Sequence, residues 1–230
     1  MSGGRWYPAV VALFTTALIV SNLIAVRLVD VFGLILPAAV IVFPIAYICG
    51  DVLTEVYGYA RARQAIWIGF GCNLLAVAAI SVGGWLPAAA AWTAGVYAGP
   101  ELADQAYRAI LGFAPRLLAA SFVAYLAGEF LNAYVLARLK VATRGRLLWL
   151  RTIASTLVGQ GVDSALFLTL AFTGILPTPV LAGAILAQWL VKSGYEAVAT
   201  PLTYVVINAL KRAEGLDPFD RATDFNPLAF

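Results

Sequence analysis

The sequence predicts an all-α membrane protein with six transmembrane helices and both termini in the cytoplasm. Three observations indicate this class. Hydrophobic residues make up 62% of the 230-residue chain and charged residues only 12%, whereas soluble domains are nearer half and a quarter. Apolar runs long enough to cross a bilayer recur along the chain. Basic residues gather in alternate connections between those runs, as the positive-inside rule requires.

Apolar runs bounded by charged residues or by Gly and Pro give the predicted spans. These spans cover residues 8–26, 31–49, 65–84, 116–137, 152–176 and 179–209. The first run resembles a signal-peptide core but lacks a small-x-small cleavage site, so we interpret it as a retained span. Residues 85–108 are Ala-rich and interrupted by Gly and Pro, which predicts a surface or re-entrant segment. We therefore expect a transmembrane domain over 1–210 and a cytoplasmic tail over 211–230 that packs on it.

The distribution of Lys and Arg sets the orientation. With the N-terminus inside, the outer side holds only Arg27 and Arg108. The cytoplasmic side holds eleven basic residues, namely Arg5, Arg61, Arg63, Arg138, Lys140, Arg144, Arg146, Arg151, Lys211, Arg212 and Arg221. The net charge of +3 therefore reflects topology in the cytoplasmic (inner) membrane and indicates no nucleic-acid partner. The basic loop at 138–151 is expected to contact anionic membrane lipids.

Several kinds of chemistry lack the residues they need. The chain has no histidine, and its two cysteines, Cys49 and Cys72, lie in apolar stretches without metal-ligand spacing. No P-loop sequence occurs, so we expect no ATP hydrolysis of that type. We expect no catalytic residue, metal or cofactor. An intramembrane lipid-modifying enzyme with paired carboxylates is an alternative, but the chain has few residues that could serve as its nucleophile or hold a metal.

Ionisable side chains lie near the middle of three predicted spans. Such groups are costly in a bilayer unless they face protein or water, so each is a candidate for function. Glu129 lies about 18 Å along its helix from Arg116, close to the midplane. The candidates on these spans are Tyr125, Glu129, Asn132, Gln160, Asp163, Gln188, Lys192, Tyr195 and Glu196.

The alternative role of these groups is structural. Lys192 and Glu196 are spaced i, i+4 and form an obvious local ion pair. Yet Glu129, Asp163, Lys192 and Glu196 together sum to minus two if all ionise, and a device that only links helices needs no net charge. We therefore favour a shared midplane site for a polar or cationic solute, where transporters commonly bind their substrates.

The second span carries further candidates. Pro37 and Pro44 favour a kink or half-helices, which membranes tolerate where the freed backbone lines protein or water. Asp51 and Glu55 follow one helical turn apart and either enter the cavity or head a cytoplasmic loop and balance nearby arginines. Asn73, a single amide in the third span, is either a ligand or a packing hydrogen bond.

Two segments resemble the queuosine precursor transporter family. The run from Gly50 to Arg63, GDVLTEVYGYARAR, is similar to that family's signature. A second segment, from PLTY at Pro201 through the tail to FNP at Pro227, is similar to its C-terminal helix and tail. The resemblance implies import of 7-cyano-7-deazaguanine and 7-aminomethyl-7-deazaguanine for making queuosine in transfer RNA. It also implies a fold similar to the six-helix substrate-binding subunits of energy-coupling-factor vitamin importers.

A deazaguanine suits the candidate residues. Its N1–H and exocyclic amine lie side by side, so a carboxylate can accept both, and its 6-oxo group needs a donor such as an amide or Lys192. Facilitated and proton-coupled uptake both remain open, as does a binding subunit that needs separate ATPase partners. A structural or assembly protein is a further alternative, disfavoured by the buried charges. We also expect a homodimer.

Overall fold

Helices form the body of the molecule. The computed structural model describes residues 4–25, 27–31, 34–112 and 115–229. In chain order its helices are α1 (Tyr7–Ile24), α2 (Phe43–Tyr57), α3 (Tyr59–Trp85), α4 (Pro100–Leu111), α5 (Pro115–Ala142), α6 (Leu148–Phe172) and α7 (Thr178–Glu214). Strands β1 (Leu28–Val31) and β2 (Leu34–Pro37) and a 3-10 turn, Ala38–Ile41, separate α1 from α2.

Four helices of the described chain are long and apolar enough to cross a membrane. They cover Tyr7–Ile24, Tyr59–Trp85, Leu118–Ala142 and Leu148–Phe172, and they agree with the first, third, fourth and fifth predicted spans. Helix α2 has only 15 residues, and α7 has 37, about 55 Å of helix. The count of six spans and the cytoplasmic placement of both termini therefore stay predictions.

The helix predicted over 31–49 is wrong in its first half. Strands β1 and β2 pair antiparallel, with Leu28 opposite Pro37, and the backbone N–H of Ala38 donates to the carbonyl of Arg27 at 2.8 Å. Helix α2 begins only at Phe43. The strands are rich in Val, Ile and Leu, and an apolar run of this length does not distinguish a strand from a buried helix by periodicity alone.

Residues 85–108, predicted as a surface or re-entrant segment, contain an irregular stretch and most of α4. Helix α4 packs against the end of α3, where the Tyr107 hydroxyl donates to the carbonyl of Ile80 at 3.0 Å. The ring of Trp92 lies 6.4 Å from that of Tyr107, centroid to centroid, in an edge-on contact. These contacts hold the segment beside one end of the bundle.

The opposite end of the bundle is closed by the C-terminal tail. Gly58, at φ +84°, is the one residue between α2 and α3, a conformation that favours glycine. The Asp220 carboxylate accepts from the backbone N–H of Tyr59 at 3.1 Å and thereby caps the start of α3. Arg63 donates from Nη1 to the carbonyls of Asp224 and Asn226, at 2.9 and 2.8 Å. The tail therefore lies against the helices.

The start of α1 is held at this same end. The Glu214 carboxylate accepts from the backbone N–H groups of Arg5 and Trp6, at 2.9 and 2.5 Å, and from the Tyr57 hydroxyl at 3.0 Å. The hydrogen bond from Trp6 is the main cause that lowers the pKa of Glu214 below its ordinary value of 4.5. An anion at a helix N-terminus is favourable because the unpaired N–H groups point at it. The end of α7 thus joins the start of α1 and the end of α2.

Candidate functional site

Helices α5 and α6 cross in close contact, and this crossing positions two of the predicted site residues. A Cβ placed on Gly159 would lie 2.8 Å from the Cβ of Asn132 and 2.9 Å from the carbonyl oxygen of Gly128. A Cβ on Gly128 would lie 2.9 Å from the Cβ of Asp163. Because both positions are glycine, the two backbones approach closely. Asn132 and Asp163 are thus brought to one part of the interior.

Helix α2 adds Asp51 to the same region. Asp51 is 1% exposed, and its Oδ1 accepts a hydrogen bond from Nδ2 of Asn132 at 3.3 Å. The neighbouring residue, Gly50, leaves room for α5, since a Cβ there would lie 3.4 Å from Oε2 of Glu129. Helix α2 therefore presents an acidic group to α5.

Helix α7 supplies a cation and a further acid. The Lys192 Nζ lies 2.5 Å from Oδ2 of Asp163, so the lysine pairs across to α6 as well as lying one turn from Glu196 on its own helix. Glu129 lies within electrostatic reach of Asp163, Glu196 and Lys192. The charged groups predicted at the midplane of three spans are therefore neighbours, and Asp51 also interacts electrostatically with Glu129 and Glu196.

Several polar atoms of this cluster have no hydrogen-bond partner among the described residues. They are Oδ2 of Asp51, Oδ1 of Asn132 and both carboxylate oxygens of Glu196. Glu196 is 1% exposed. Buried polar groups are almost always hydrogen-bonded, so a set of unsatisfied acceptors at one place indicates a site that a polar ligand or water fills. We refer to Asp51, Glu129, Asn132, Asp163, Lys192 and Glu196 as the acidic cluster.

The sequence reasoning missed Tyr47. Its hydroxyl donates to Oε1 of Gln160 at 3.0 Å, and it lies within electrostatic reach of Asp163, Glu129 and Glu196. The signal was available, because Tyr47 stands one helical turn before Asp51 on the same face of α2. The bond to the tyrosine holds the Gln160 amide in the wall of the acidic cluster.

Comparison with known proteins identifies the family. The sequence model of the family described as "Putative vitamin uptake transporter" matches residues 37–206. The chain belongs to this family. The chain is also similar to the "Probable queuosine precursor transporter" of Bacillus subtilis (strain 168), with 31% identity over 191 residues. These residues cover 82% of this chain and 79% of the relative. No solved structure matches the chain. The predicted resemblance, and the interpretation as a transporter and not an enzyme, are confirmed.

Glu55 lies in a separate network of ion pairs, at the end of the helices that the C-terminal tail covers. Its carboxylate is fully buried and pairs with Arg151 at 2.7 Å, Lys211 at 3.0 Å and Lys140 at 3.6 Å. Lys140 also donates to the backbone carbonyl of Glu55 at 2.6 Å. Glu55 therefore ties α2 to α5, α6 and α7, and the arginines that the sequence suggested as its partners bind elsewhere.

The tail joins the Glu55 network through Asp217. Its Oδ1 lies 2.7 Å from Nζ of Lys140 and 2.8 Å from Nζ of Lys211. Burial opposes ionisation of Asp217, but the hydrogen bonds and charges of the two lysines outweigh it and hold its pKa below the ordinary value of 3.8. At this end of the transporter three cations thus face two carboxylates, which leaves one net positive charge.

The remaining predicted residues lie at the edge of the cluster or away from it. Asn73 accepts from Nδ2 of Asn22 at 2.9 Å, which links α1 to α3. The Tyr125 hydroxyl donates to the carbonyl of Ile66 at 3.2 Å and lies within reach of Glu129. Tyr195 is 42% exposed, and Gln188 is half-buried on α7. Of these, Tyr125 is the one that borders the acidic cluster.

Proposed function

We propose that this vitamin uptake transporter imports the 7-deazaguanine bases 7-cyano-7-deazaguanine and 7-aminomethyl-7-deazaguanine across the cytoplasmic membrane, and that they bind in the acidic cluster. The observation that carries the proposal is the set of buried acceptors without partners on Asp51, Asn132 and Glu196. The relative named as a queuosine precursor transporter supports this choice of solute.

The hydrogen-bonding edge of the base fits these acceptors. N1–H and the 2-amine of a deazaguanine point the same way, and a carboxylate accepts both in a bidentate contact, which is among the stronger kinds of hydrogen bond. Glu196 is the acceptor we assign to this edge, because neither of its oxygens has a partner in the described chain. Oδ1 of Asn132 would accept the remaining ring N–H of the base.

The donors of the cluster suit the 6-oxo group. Lys192 and the amide nitrogen of Gln160 are the donors in reach of a ring that spans α6 and α7. The hydrogen bond from Tyr47 to Oε1 of Gln160 leaves the amide nitrogen to face the solute. Aromatic rings stack on bases with about 1–3 kcal/mol per base, and Tyr47 and Tyr125 are the rings at the wall.

Binding of a panel of bases tests the site. The purified chain should bind both deazaguanines and should bind guanine and adenine less well. Asn132→Ala and Glu196→Gln should each weaken deazaguanine binding about tenfold or more, the loss expected for a hydrogen bond to a charged or buried partner. Asn208→Ala on α7 and the exposed Glu101→Gln on α4 are matched controls. Equal binding by site variants and controls would place the solute elsewhere.

A further inference from the structure

Two carboxylates of the acidic cluster form no ion pair with any of the residues that the structure describes. Asp51 and Glu196 are each 1% exposed, they interact electrostatically with each other, and neither takes part in an ion pair of the described residues. Burying one ionised carboxylate without a partner is expensive, and burying two like charges together is more so. Something other than a protein cation must therefore neutralise this pair.

The nearby cations are engaged elsewhere. Lys192 pairs with Asp163 and also faces Glu129, while the three cations at the tail end pair with Glu55. Nor do three acidic, His or Cys side chains of the described chain converge in a way that could hold a metal ion. A proton is the neutralising group that remains, as when two neighbouring carboxyl groups share one proton.

Apart from Lys192, the described side chains around the pair are acidic or neutral. Helix α5 presents Glu129 and Asn132, helix α6 presents Asp163, and α2 itself presents Tyr47 and, one turn on, Glu55. Lys192 on α7 is the single cation at this level in the described residues, and it is held by Asp163. The acids that face Asp51 and Glu196 therefore oppose a second negative charge on the pair.

We propose that Asp51 and Glu196 share one proton in the empty carrier, and that a cationic base displaces this proton while a neutral base binds with it retained. The inference rests on the proposed function, because the two deazaguanines differ in this respect. The amine of the aminomethyl base is protonated at neutral pH, as aliphatic amines are, and the cyano base is uncharged. One proton leaves to solution as one positive charge enters, so the charge of the site is conserved.

The retained proton gives the neutral base a donor. An ionised carboxylate only accepts, whereas a protonated carboxyl group also donates from its O–H. With the proton in place, the pair can accept N1–H with one group and donate to the 6-oxo atom with the other. A single pair of carboxyl groups would thus recognise both bases by changing its protonation.

The number of protons released on binding tests this inference. Calorimetric titration of the full-length chain in two buffers of different ionisation enthalpy counts them. We expect the aminomethyl base to release about one proton and to bind about tenfold more tightly for each unit of pH between roughly 6 and 8, while the cyano base releases none and binds independently of pH. This comparison uses the unaltered protein and needs no variant to fold.

A variant locates the proton. In Glu196→Gln, the remaining carboxylate ionises without its neighbour, so the aminomethyl base should release no proton and its affinity should become independent of pH. Asp51→Asn should behave in the same way, and Glu101→Gln should keep the slope of the unaltered protein. A variant that keeps the full proton release would overturn the assignment to this pair.

The outcomes separate this inference from the proposed function. If both bases bind and release the same number of protons, or if the aminomethyl base binds independently of pH, the proton-sharing pair is wrong and the binding site stands. If neither base binds, the proposed function fails and takes the inference with it.

Discussion

Arg151 donates from Nε to Oε1 of Glu55 at 2.9 Å, and Nη2 of the same guanidinium lies 2.7 Å from that oxygen. Both side chains are almost fully buried. Because Glu55 also meets Lys211 and Lys140, one carboxylate from α2 joins three other helices. The segment from Gly50 to Arg63 resembles the signature of queuosine precursor transporters. It therefore contains a residue, Glu55, whose contacts hold the helix ends together.

Replacing Glu55 should destabilise the protein. Glu55→Ala leaves three cations around an empty space, and removing one partner of a buried ion pair costs about 3–5 kcal/mol. Thermal unfolding in detergent should show a large loss of stability, whereas the exposed Glu101→Ala should stay within about 0.5 kcal/mol. Base binding by the folded fraction should be retained. Selective loss of binding in a stable Glu55→Ala protein would make this residue a ligand after all.

Adding a methyl group at the α5–α6 crossing should disturb the acidic cluster. Gly159→Ala would place a Cβ 2.8 Å from the Cβ of Asn132, so the two helices must separate and carry Asn132 and Asp163 with them. We expect base binding to weaken because Asn132 and Asp163 move, and we expect the overpacking itself to lower the free energy of unfolding by about 1–3 kcal/mol. Gly71→Ala, where a Cβ meets nothing within 4 Å, is the matched control and should bind normally.

The contact of the tail should weaken in acid. The pKa values of Asp217 and Glu214 are lowered in the folded state, so the stability they contribute is complete above their ordinary values of 3.8 and 4.5 and is lost as pH falls through the lowered values. Proteolysis of the tail should therefore accelerate below about pH 4. In Asp217→Asn the rate of tail proteolysis should depend less strongly on pH. A cleavage rate that does not change with pH would show that these carboxylates do not hold the tail.

Labelling from one side of the membrane tests the topology. In a chain with Cys49 and Cys72 replaced, we expect an impermeant maleimide to reach Val96→Cys from outside intact cells. Arg146→Cys and Leu228→Cys should react only after the membrane is opened, because both lie at the end that carries most of the basic residues. Labelling of Leu228→Cys in intact cells would contradict six spans with cytoplasmic termini.

The sequence predicted the parts of the structure that depend on local pattern. Long apolar helices with polar groups at one depth are visible in composition and spacing, so Glu129, Asp163, Lys192 and Glu196 could be foreseen as neighbours. The sequence could not predict the partner of Lys192. The i, i+4 spacing suggests Glu196, whereas the fold brings Oδ2 of Asp163 to 2.5 Å from the Lys192 Nζ. Pairing across helices depends on how they rotate and cross.

Other features were beyond sequence reasoning for definite physical reasons. The hairpin of β1 and β2 is as apolar as the helix predicted there, so hydropathy does not separate the two. Glu55 was assigned either to the cavity or to a loop, since nothing local indicates that Arg151, 96 residues later, folds back onto it. The role of Gly128 and Gly159 depends on the approach of two backbones, which spacing within one helix does not report.

Uptake by the reconstituted chain tests the central claim most directly. Proteoliposomes that contain this chain and no other protein should accumulate or exchange labelled 7-deazaguanine bases, and excess unlabelled 7-aminomethyl-7-deazaguanine should compete while adenine should not. Asn132→Ala should abolish most of this uptake and Asn208→Ala should not. Specific uptake that depends on Asn132 is the result we predict. Normal reconstitution without uptake, restored only by a separate ATPase, would contradict a carrier that works alone.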